Sequence, residues 1–393
     1  MQIFEYDMPP FSIASCFCGI PPASVCFFDI ETTGLSADTS SVYLIGCMHV
    51  QKDGWHMVQW FADDYNSEKE LLISFFQYLK DYSYLVHYNG SSFDVPYLQK
   101  KCRHYCLAQS FPDTLTMIDL YKILRPYRPF MRLDSMRQKN LEEYLGIDRE
   151  DTFSGKELIT LYSQYMQDKI CNKGDASKLL TLLLLHNKED ITYMLSICTL
   201  LCYPYLFPMK KKNNSFFTIF PKAEKSFTHT KACISDNRLI IKFTLCHPFP
   251  IREDFLCTPY SLFLKDNKGM LRVDLIHDTL YYFYKDYKNY YYLPTEDTVI
   301  HKSIAAYVDA EYKEKATAAT CYSKREGTFA PCFSYEQTAV LHKKYKDKKN
   351  YVEINDEWMS SNECVMAYLT DVLEHYGELL NSKTPALSER QQD

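Results

Sequence analysis

The sequence predicts an α/β protein: a mixed β-sheet flanked by helices, followed by a smaller, β-rich α+β domain. Apolar runs typical of strands alternate with helical periodicities through the first half of the chain. Two of these strands are joined by a short polar link, which indicates an antiparallel pair within an otherwise alternating strand–helix pattern. After about residue 205 the pattern changes to short β-branched and aromatic segments with few helical periods.

The strands and the hairpin come first in the chain. Five strands are predicted, over residues 25–31, 42–50, 55–61, 84–88 and 116–119. The link Gln51-Lys52-Asp53-Gly54 makes the second and third of them a hairpin. A hairpin followed by alternating helices and strands is typical of a mixed sheet with helices on its faces.

The predicted helices separate and follow these strands. Ser67-Glu68-Lys69-Glu70 and Ser154-Gly155-Lys156-Glu157 have the form of capping boxes, so each is expected to begin a helix. A helix is also expected from about Asp94, where Pro96 is tolerated within the first turn. Further helices are predicted at residues 141–145 and 178–202.

Length and composition indicate a globular chain of more than one domain. Of its 393 residues, 46% are hydrophobic and 24% charged. The predicted divisions are a first domain over residues 22–205, a basic linker over 206–215, a β-rich domain over 216–380 and a disordered tail over 381–393. Within the third of these, residues 265–269 are expected to form a hairpin turn, and a late helix is expected to begin at 360–363.

Composition also limits the classes of function. Fifteen cysteines without disulfide-framework spacing predict free thiols in a reducing cytoplasm. The apolar run at residues 179–185 is far shorter than the ~20 residues that cross a bilayer, so no membrane role is expected. A net charge of −6 argues against coating nucleic acid electrostatically, so such contacts would depend on local basic patches and metal ions.

Two carboxylates at the end of the first strand are the strongest functional signal. Asp29 and Glu31 alternate in a strand and therefore point from the same face. Two unit charges about 4 Å apart repel by roughly 4 kcal/mol at an effective dielectric of ~20, so a buried pair is expected to protonate or to bind a metal ion. The alternative is a pair of solvated acids at an exposed strand end.

Further acids occur at positions that can reach the same place. Asp94 lies where the fourth strand passes into a helix, so it can point back towards the sheet. His186 and Asp190 are four residues apart and share one face of the long helix, whereas Glu189 lies about 100° away and is not expected to be a ligand.

In chain order these acids resemble the DEDD pattern of the DnaQ-like exonuclease superfamily, which has the RNase H-like fold. The match consists of Asp29 and Glu31 in D-x-E-T-T-G-L, Asp94 in N-x-x-x-F-D, and Asp190 on a late helix. The chain is most similar to bacterial YprB-type proteins, through the segments 87–96, 141–147 and 154–157. The resemblance covers about residues 22–205.

The resemblance implies a metal-dependent nuclease that hydrolyses phosphodiester bonds of DNA or RNA, as a 3′–5′ exonuclease with two Mg²⁺ or Mn²⁺ ions. By this resemblance Asp29 is the ligand shared by both ions, Glu31 and Asp190 lie on the side of the attacking water, and Asp94 completes the second site. Nucleic acid, as single strands or 3′ ends, is the expected partner. The alternative is a nucleic-acid-binding scaffold that kept the fold but is catalytically weak or inactive.

His186 departs from the superfamily pattern. One branch has histidine with four intervening residues before the last aspartate, and the other has tyrosine with three; this chain has histidine with three. His186 is a candidate general base, because an unperturbed pKa near ~6.5 lets imidazole take a proton at neutral pH. Alternatively it fills the position of the tyrosine and orients water or phosphate.

Four residues near the predicted site are candidates for substrate binding, each with a structural alternative. Asp119 ends the fifth strand and could contact nucleotide or a hydrated metal ion, or cap a neighbouring helix. Asn89 could hold the backbone of its loop, as asparagine often does in turns. Thr32 and Thr33 could bind a terminal nucleotide or only form a turn.

The C-terminal half contains two motifs that could contact nucleic acid. Residues 281–292 interleave tyrosines with lysines, a mixture that stacks single-stranded bases, although a sheet with tyrosines inside and lysines outside has the same composition. Residues 343–349 form a dense basic run that is either a solvated loop or a phosphate contact.

Overall fold

The computed structural model describes residues 1–12, 16–17, 19–51, 54–171, 174–208, 216–220 and 226–383. The chain divides into two compact units, of which the first is Met1–Lys225 with His247–Ile251, and the second is Ser226–Cys246 with Arg252–Asp393. Most of the predicted linker and of the predicted tail lies outside the described residues, and the predicted domain boundaries stay predictions.

The first unit is built from one sheet and its helices. Its strands are β1 (Gln2–Met8), β2 (Val25–Thr32), β3 (Val42–Gln51), β4 (Gly54–Phe61), β5 (Tyr84–His87) and β6 (Thr116–Asp119). Its α-helices are α1 (Glu68–Tyr78), α2 (Asp94–His104), α3 (Leu120–Leu124), α4 (Arg128–Met131), α5 (Gln138–Tyr144), α6 (Gly155–Cys171), α7 (Ala176–Cys198), α8 (Cys202–Leu206) and α9 (Phe216–Ile219).

The sheet is mixed, as predicted, with the strand order β1-β4-β3-β2-β5-β6. Strands β1, β4, β3 and β2 are antiparallel neighbours, and β2, β5 and β6 are parallel. All five predicted strands are present. The edge strand β1 was not predicted; it pairs along its length with β4. Because β2, β5 and β6 are parallel, their carboxyl ends lie at the same end of the sheet.

Helices cover both faces of this sheet. Phe28 of β2 stacks on Phe75 of α1, with ring centroids 5.7 Å apart. The next residue, Asp29, accepts a hydrogen bond from Asn187 of α7. Since adjacent residues of a strand face opposite sides, α1 and α7 lie on opposite faces. The predicted fold class, a mixed sheet flanked by helices, is confirmed.

Gly46 of β3 allows α7 to approach the sheet closely. A Cβ atom there would lie 2.1 Å from Asn187 Oδ1 and 2.4 Å from Ile191 Cδ1. We therefore expect Gly46→Ala to lower the free energy of unfolding by about 1–3 kcal/mol, as overpacked cores do. Urea unfolding followed by circular dichroism measures this. Gly155→Ala is the control, because nothing lies within 4 Å of its added Cβ; equal stability of the two variants would contradict the close approach.

The two predicted capping boxes, at Ser67 and Ser154, differ in their hydrogen bonds. α1 begins at Glu68, yet Ser67 makes no capping hydrogen bond and its Oγ donates to Asp64 Oδ1 instead. The capping box expected at Ser67 is therefore wrong. At the second site, Glu157 accepts hydrogen bonds from Ser154 N and Oγ, at 2.7 and 2.6 Å.

The last helices of the first unit also differ from the prediction. The long helix predicted to Cys202 ends as an α-helix at Cys198, and a single 3₁₀ turn joins it to α8. Pro204 lies inside α8. The basic run Lys210-Lys211-Lys212 and residues 52–53 of the hairpin link lie outside the described residues. No helix among the described residues is long and apolar enough to cross a membrane.

The second unit is rich in strands, as predicted. Its described elements are β7 (Phe227–Ser235), β8 (Arg238–Cys257), β9 (Tyr260–Asp274), β10 (Ile276–Phe283), β11 (Tyr290–Leu293), β12 (Thr298–His301), β13 (Glu314–Lys315), β14 (Tyr322–Cys332), β15 (Asn350–Glu353), α10 (Lys302–Ala305), α11 (Asp356–Ser360) and α12 (Asn362–Lys383). They form three small sheets, in the orders β7-β8-β9, β10-β14-β15 and β12-β11-β13.

Segment β9 reverses direction near the predicted hairpin turn. Asp274 N donates a hydrogen bond to Pro259 O at 2.9 Å, which brings the two ends of the segment together. Asp266, within the predicted turn, has a left-handed φ of 50°. Asparagine and aspartate tolerate that conformation in tight turns.

Rings of the tyrosine-rich segment pack on one another and on Tyr322. Tyr281 contacts the ring of Tyr322 at 4.9 Å, and Tyr284 stacks on Tyr290 at 5.1 Å. Half-buried rings in mutual contact are the arrangement expected of a sheet with packed tyrosines. In the predicted basic run, Lys343 pairs with Asp278 at 3.1 Å.

Candidate active site

The first two candidate acids lie at the carboxyl end of β2. Asp29 and Glu31 are half-buried, whereas Ile30 between them is 6% exposed and belongs to the core. The pairing of β2 with β3 shifts register between Glu31 and Thr32. The strand therefore presents both acids on the face covered by α7, as the alternation predicted.

Helix α7 brings His186 and Asp190 to these acids. His186 Nε2 lies 3.3 Å from Asp190 Oδ2, one turn away, and 3.6 Å from Glu31 Oε1. Each of these three residues offers one metal-ligand atom, and these atoms lie within 4.8 Å of one another, so together they could hold a metal ion. His186 is 6% exposed.

Asp94 is the first residue of α2 and is buried. Burial raises the pKa of Asp29 well above its usual value, and the charges of Asp190, Asp94 and Glu31 raise it further. Burial and the charges of Asp190 and Asp94 also raise the pKa of Glu31. For Asp94 itself, burial raises the pKa to about 7. The four predicted acids thus share one electrostatic environment.

This environment fits a divalent cation. Carboxylate oxygens are hard ligands of the kind that Mg²⁺ and Mn²⁺ prefer. The same burial and repulsion that raise the pKa values of Asp29 and Glu31 would be offset by a bound positive charge. The ligand atoms and their charge therefore fit a divalent cation, while its identity as Mg²⁺ or Mn²⁺ stays a prediction.

The raised pKa of Asp94 predicts a pH-dependent effect of Asp94→Asn. The folded state, with a pKa of about 7 against the ordinary 3.8, binds more protons than the unfolded state, so this aspartate destabilises the fold as pH rises from 4 to 7. In the presence of EDTA, we expect Asp94→Asn to raise the free energy of unfolding, by about 2 kcal/mol more at pH 8 than at pH 5. Urea unfolding at both pH values measures this.

Asp113→Asn is the matched control, because Asp113 is exposed and lies in the same unit. Its effect should be the same at both pH values. If the gain from Asp94→Asn were also independent of pH, the burial of an ionised Asp94 would be contradicted.

Asn187, next to His186, holds Asp29 in place. Its Nδ2 donates to Asp29 Oδ2 at 3.0 Å, and its Oδ1 accepts from Gln59 Nε2 at 2.8 Å. Gln59 also donates to Leu184 O at 3.0 Å. Because the Gln59 amide fixes which end of Asn187 is the donor, the two amides orient one carboxylate oxygen of Asp29. This role was not predicted.

The loop between α5 and α6 supplies two further charged groups that the sequence analysis missed. Arg149 Nη2 lies 2.5 Å from Asp190 Oδ1 and 2.6 Å from Glu142 Oε1, while Arg149 Nε also donates to Glu142. Asp151 Oδ2 lies 2.6 Å from His186 Nδ1. Arg149 therefore holds one oxygen of Asp190, and Asp151 holds one nitrogen of His186.

Glu189 fastens this loop to α7. Its two carboxylate oxygens accept hydrogen bonds from the backbone N–H groups of Glu150 and Asp151, both at 3.0 Å. Burial acts to raise the pKa of Asp151, but His186 and the Phe153 N–H outweigh it and hold that pKa below its usual value. As expected, Glu189 does not join the acid cluster. The charged run Arg149-Glu150-Asp151 just before the α6 cap was the available signal.

The predicted substrate-binding residues lie at or just after the carboxyl ends of β2, β5 and β6. Asp119 accepts from the N–H groups of Asn89, Ser91 and Lys122, which caps α3 and ties the loop after β5. Asn89 has a left-handed φ of 59° in that loop. These contacts fit the structural alternative for Asp119, whereas Asn89 contributes its backbone N–H to them. The roles of both residues in substrate binding stay predictions.

The two threonines form the turn after β2. Thr32 Oγ1 donates to Gly34 O at 2.9 Å, and Thr33 Oγ1 accepts from Ser41 N at 2.9 Å. Their side chains are half-buried. A contact between either threonine and a nucleotide also stays a prediction.

Comparison with known proteins supports the fold of the first unit. The model of the RNase_H_2 family, of the RNase_H superfamily, matches residues 26–202. No curated protein matches the sequence. The family B DNA polymerase of the hyperthermophilic archaeon Pyrobaculum calidifontis is similar in structure to 68% of the chain, at 15% sequence identity and a TM-score of 0.37. This chain covers 35% of that polymerase, and so weak a similarity carries no functional meaning.

The family match includes every predicted catalytic residue. Residues 26–202 contain β2 from its second residue, β3 to β6, the helices up to α7, and all five predicted catalytic residues. The mixed sheet with its flanking helices has the RNase H-like fold.

Proposed function

We propose that the chain is a metal-dependent nuclease that hydrolyses phosphodiester bonds of DNA or RNA, as a 3′–5′ exonuclease of the DnaQ-like superfamily using two divalent cations. The observation that carries this proposal is the convergence of Asp29, Glu31, Asp94 and Asp190 in one electrostatic environment, with His186 Nε2 close to Glu31 and Asp190. The match of residues 26–202 to the RNase_H superfamily supports a nuclease-type domain.

The four carboxylates are the proposed ligands of Mg²⁺ or Mn²⁺, with Asp29 shared between two ions. Bound cations of this kind activate a water molecule and stabilise the charge that develops on the leaving oxygen. Neighbouring side chains orient these carboxylates. Asn187 holds Asp29, and Arg149 holds the far oxygen of Asp190.

His186 presents one ring nitrogen to the acid cluster. Its Nδ1 is engaged by Asp151, so its Nε2 is the atom that faces Glu31 and Asp190. Thr32, Thr33, Asn89 and Asp119 lie at the same end of the sheet and are the proposed substrate contacts. Single strands or 3′ ends are the proposed partners. A terminal nucleotide can reach a site at the carboxyl ends of the strands without the opening of a duplex.

Four 5′-labelled substrates test the proposal: single- and double-stranded DNA and single- and double-stranded RNA, each with Mn²⁺ or Mg²⁺. We expect at least one substrate to be shortened progressively from its 3′ end. Internal fragments at early times would instead indicate an endonuclease. If no substrate is cut with either cation, the nuclease proposal fails.

One observation favours the second candidate, a nucleic-acid-binding scaffold with little or no activity. The ion pair between Arg149 and Asp190 neutralises one of the four acids without any metal ion. A gel-shift assay with the same four substrates separates the two candidates: retention without shortening supports the scaffold. A cytoplasmic location remains a prediction for either candidate.

A further inference from the structure

His186 is held in one orientation by a carboxylate behind it. Its Nδ1 lies 2.6 Å from Asp151 Oδ2, and the Asp151 side chain is fully buried. Lys139 Nζ lies 3.2 Å from the same oxygen, and Glu189 fixes the backbone N–H of Asp151. A carboxylate that accepts a hydrogen bond from Nδ1–H leaves the lone pair of the neutral imidazole on Nε2.

The Nε2 atom of His186 then faces two carboxylate oxygens, at 3.3 Å in Asp190 and 3.6 Å in Glu31. The side chain is 8% exposed, and among the described residues no hydrogen-bond donor reaches Nε2. Three acceptor atoms therefore meet in a largely buried place. Such an arrangement is stable when a cation lies between them.

The separations of 3.3 and 3.6 Å from His186 Nε2 are close to those between ligand atoms around a single ion. Neighbouring ligand atoms about 2.1 Å from a metal ion, at angles between octahedral and tetrahedral, lie roughly 3.0–3.5 Å apart. Asp190 is turned towards this place because Arg149 holds its other oxygen. Asp29 and Asp94 do not belong to the three-residue group, so the two ends of the cluster have different ligand chemistry.

We propose that Glu31, His186 and Asp190 form a mixed nitrogen–oxygen metal site in which His186 Nε2 is a ligand and Asp151 is the residue that positions it. This inference rests on the proposed function, but it gives His186 the role of ligand instead of general base. An imidazole ligand favours transition metals over Mg²⁺. The site therefore takes Mn²⁺ in preference to Mg²⁺, whereas Asp29 and Asp94 offer only oxygen.

Pulsed electron paramagnetic resonance of the full chain loaded with Mn²⁺ tests the proposal, because a coordinated imidazole modulates the echo with the frequencies of ¹⁴N. We expect this modulation in the parent chain and its loss in His186→Gln. His104→Gln is the control, since His104 is exposed in the same unit, and it should keep the modulation. Competition with Mg²⁺ should require at least about tenfold more Mg²⁺ than Mn²⁺ to displace half of the bound Mn²⁺.

Asp151→Asn tests the positioning role separately. The amide oxygen can still accept a hydrogen bond from Nδ1–H, so the nitrogen modulation should persist. The Kd for Mn²⁺ should rise about tenfold, at the lower end of the range for partners of metal-bound histidine. An unchanged Kd would overturn the role of Asp151. Circular dichroism of each variant confirms that the fold is retained.

The outcomes separate this inference from the proposed function. Absence of nitrogen modulation in a parent chain that binds Mn²⁺ and cuts nucleic acid would overturn the inference and leave the nuclease proposal standing. Nitrogen modulation in a chain that cuts none of the four substrates would support the metal site and overturn the nuclease proposal.

Discussion

Asp29→Asn is expected to reduce phosphodiester hydrolysis by about 10³-fold or more. Metal ions supply several kcal/mol of transition-state stabilisation, and each 1.36 kcal/mol corresponds to a factor of ten in rate. Asn187 holds Asp29 from one side, so the asparagine variant keeps its place while losing the charge that a shared ligand needs. Initial rates on the substrate that is cut fastest, at saturating Mn²⁺, measure the effect.

Two controls make this result specific. Asp113→Asn changes an exposed aspartate of the same unit and should retain the rate of the parent chain. Urea unfolding should show that Asp29→Asn is at least as stable as the parent in EDTA, because it removes a buried carboxylate whose pKa is raised by burial and by neighbouring charges. A variant that folds normally and cuts at the parent rate would exclude Asp29 from catalysis.

Arg149→Ala is expected to lower the free energy of unfolding by about 3–5 kcal/mol. Arg149 joins Glu142 through two nitrogens, and the side chains of these two residues are 7% and 1% exposed. Removing one partner of a buried ion pair leaves the other charge without compensation, which is the costly case for such pairs. Glu142 would keep only Gln138 as a hydrogen-bond donor from this network.

Chemical denaturation in EDTA measures this loss, with Arg252→Ala as control. Arg252 pairs with Asp254 on the surface, where an ion pair contributes little, so its removal should leave stability almost unchanged. Arg149→Lys should fall between the two, since lysine keeps the charge but cannot make the two-nitrogen contact with Glu142. If Arg149→Ala were as stable as the parent, the network around Glu142 and Asp190 would not support the site.

The sequence spacing of the acids predicted which of them share one face of a strand or helix. Asp29 and Glu31 alternate in a strand, and His186 and Asp190 share a helix face, so local periodicity placed each pair correctly. That α7 crosses the face of β2 was not readable from either segment alone. It depends on Gly46, a glycine of a neighbouring strand whose importance appears only when α7 lies on it.

The network behind the site was not predicted because its members are distant in sequence and irregular in structure. Arg149 and Asp151 lie in a loop without periodicity, and they meet Asp190 and His186 about forty residues later. Strand β1 was missed for a related reason. It is an edge strand with half-exposed residues, and its partners in β4 lie about fifty residues later in the chain.

The dependence of hydrolysis on a divalent cation tests the central claim most directly. The parent chain is stripped with EDTA, and a 5′-labelled single strand is incubated with it before and after Mn²⁺ is restored. We predict no shortening in EDTA and a ladder that grows from the 3′ end once Mn²⁺ is present, with no ladder for Asp29→Asn. Equal shortening with and without the cation, or by Asp29→Asn, would contradict a carboxylate-held metal centre as the source of the activity.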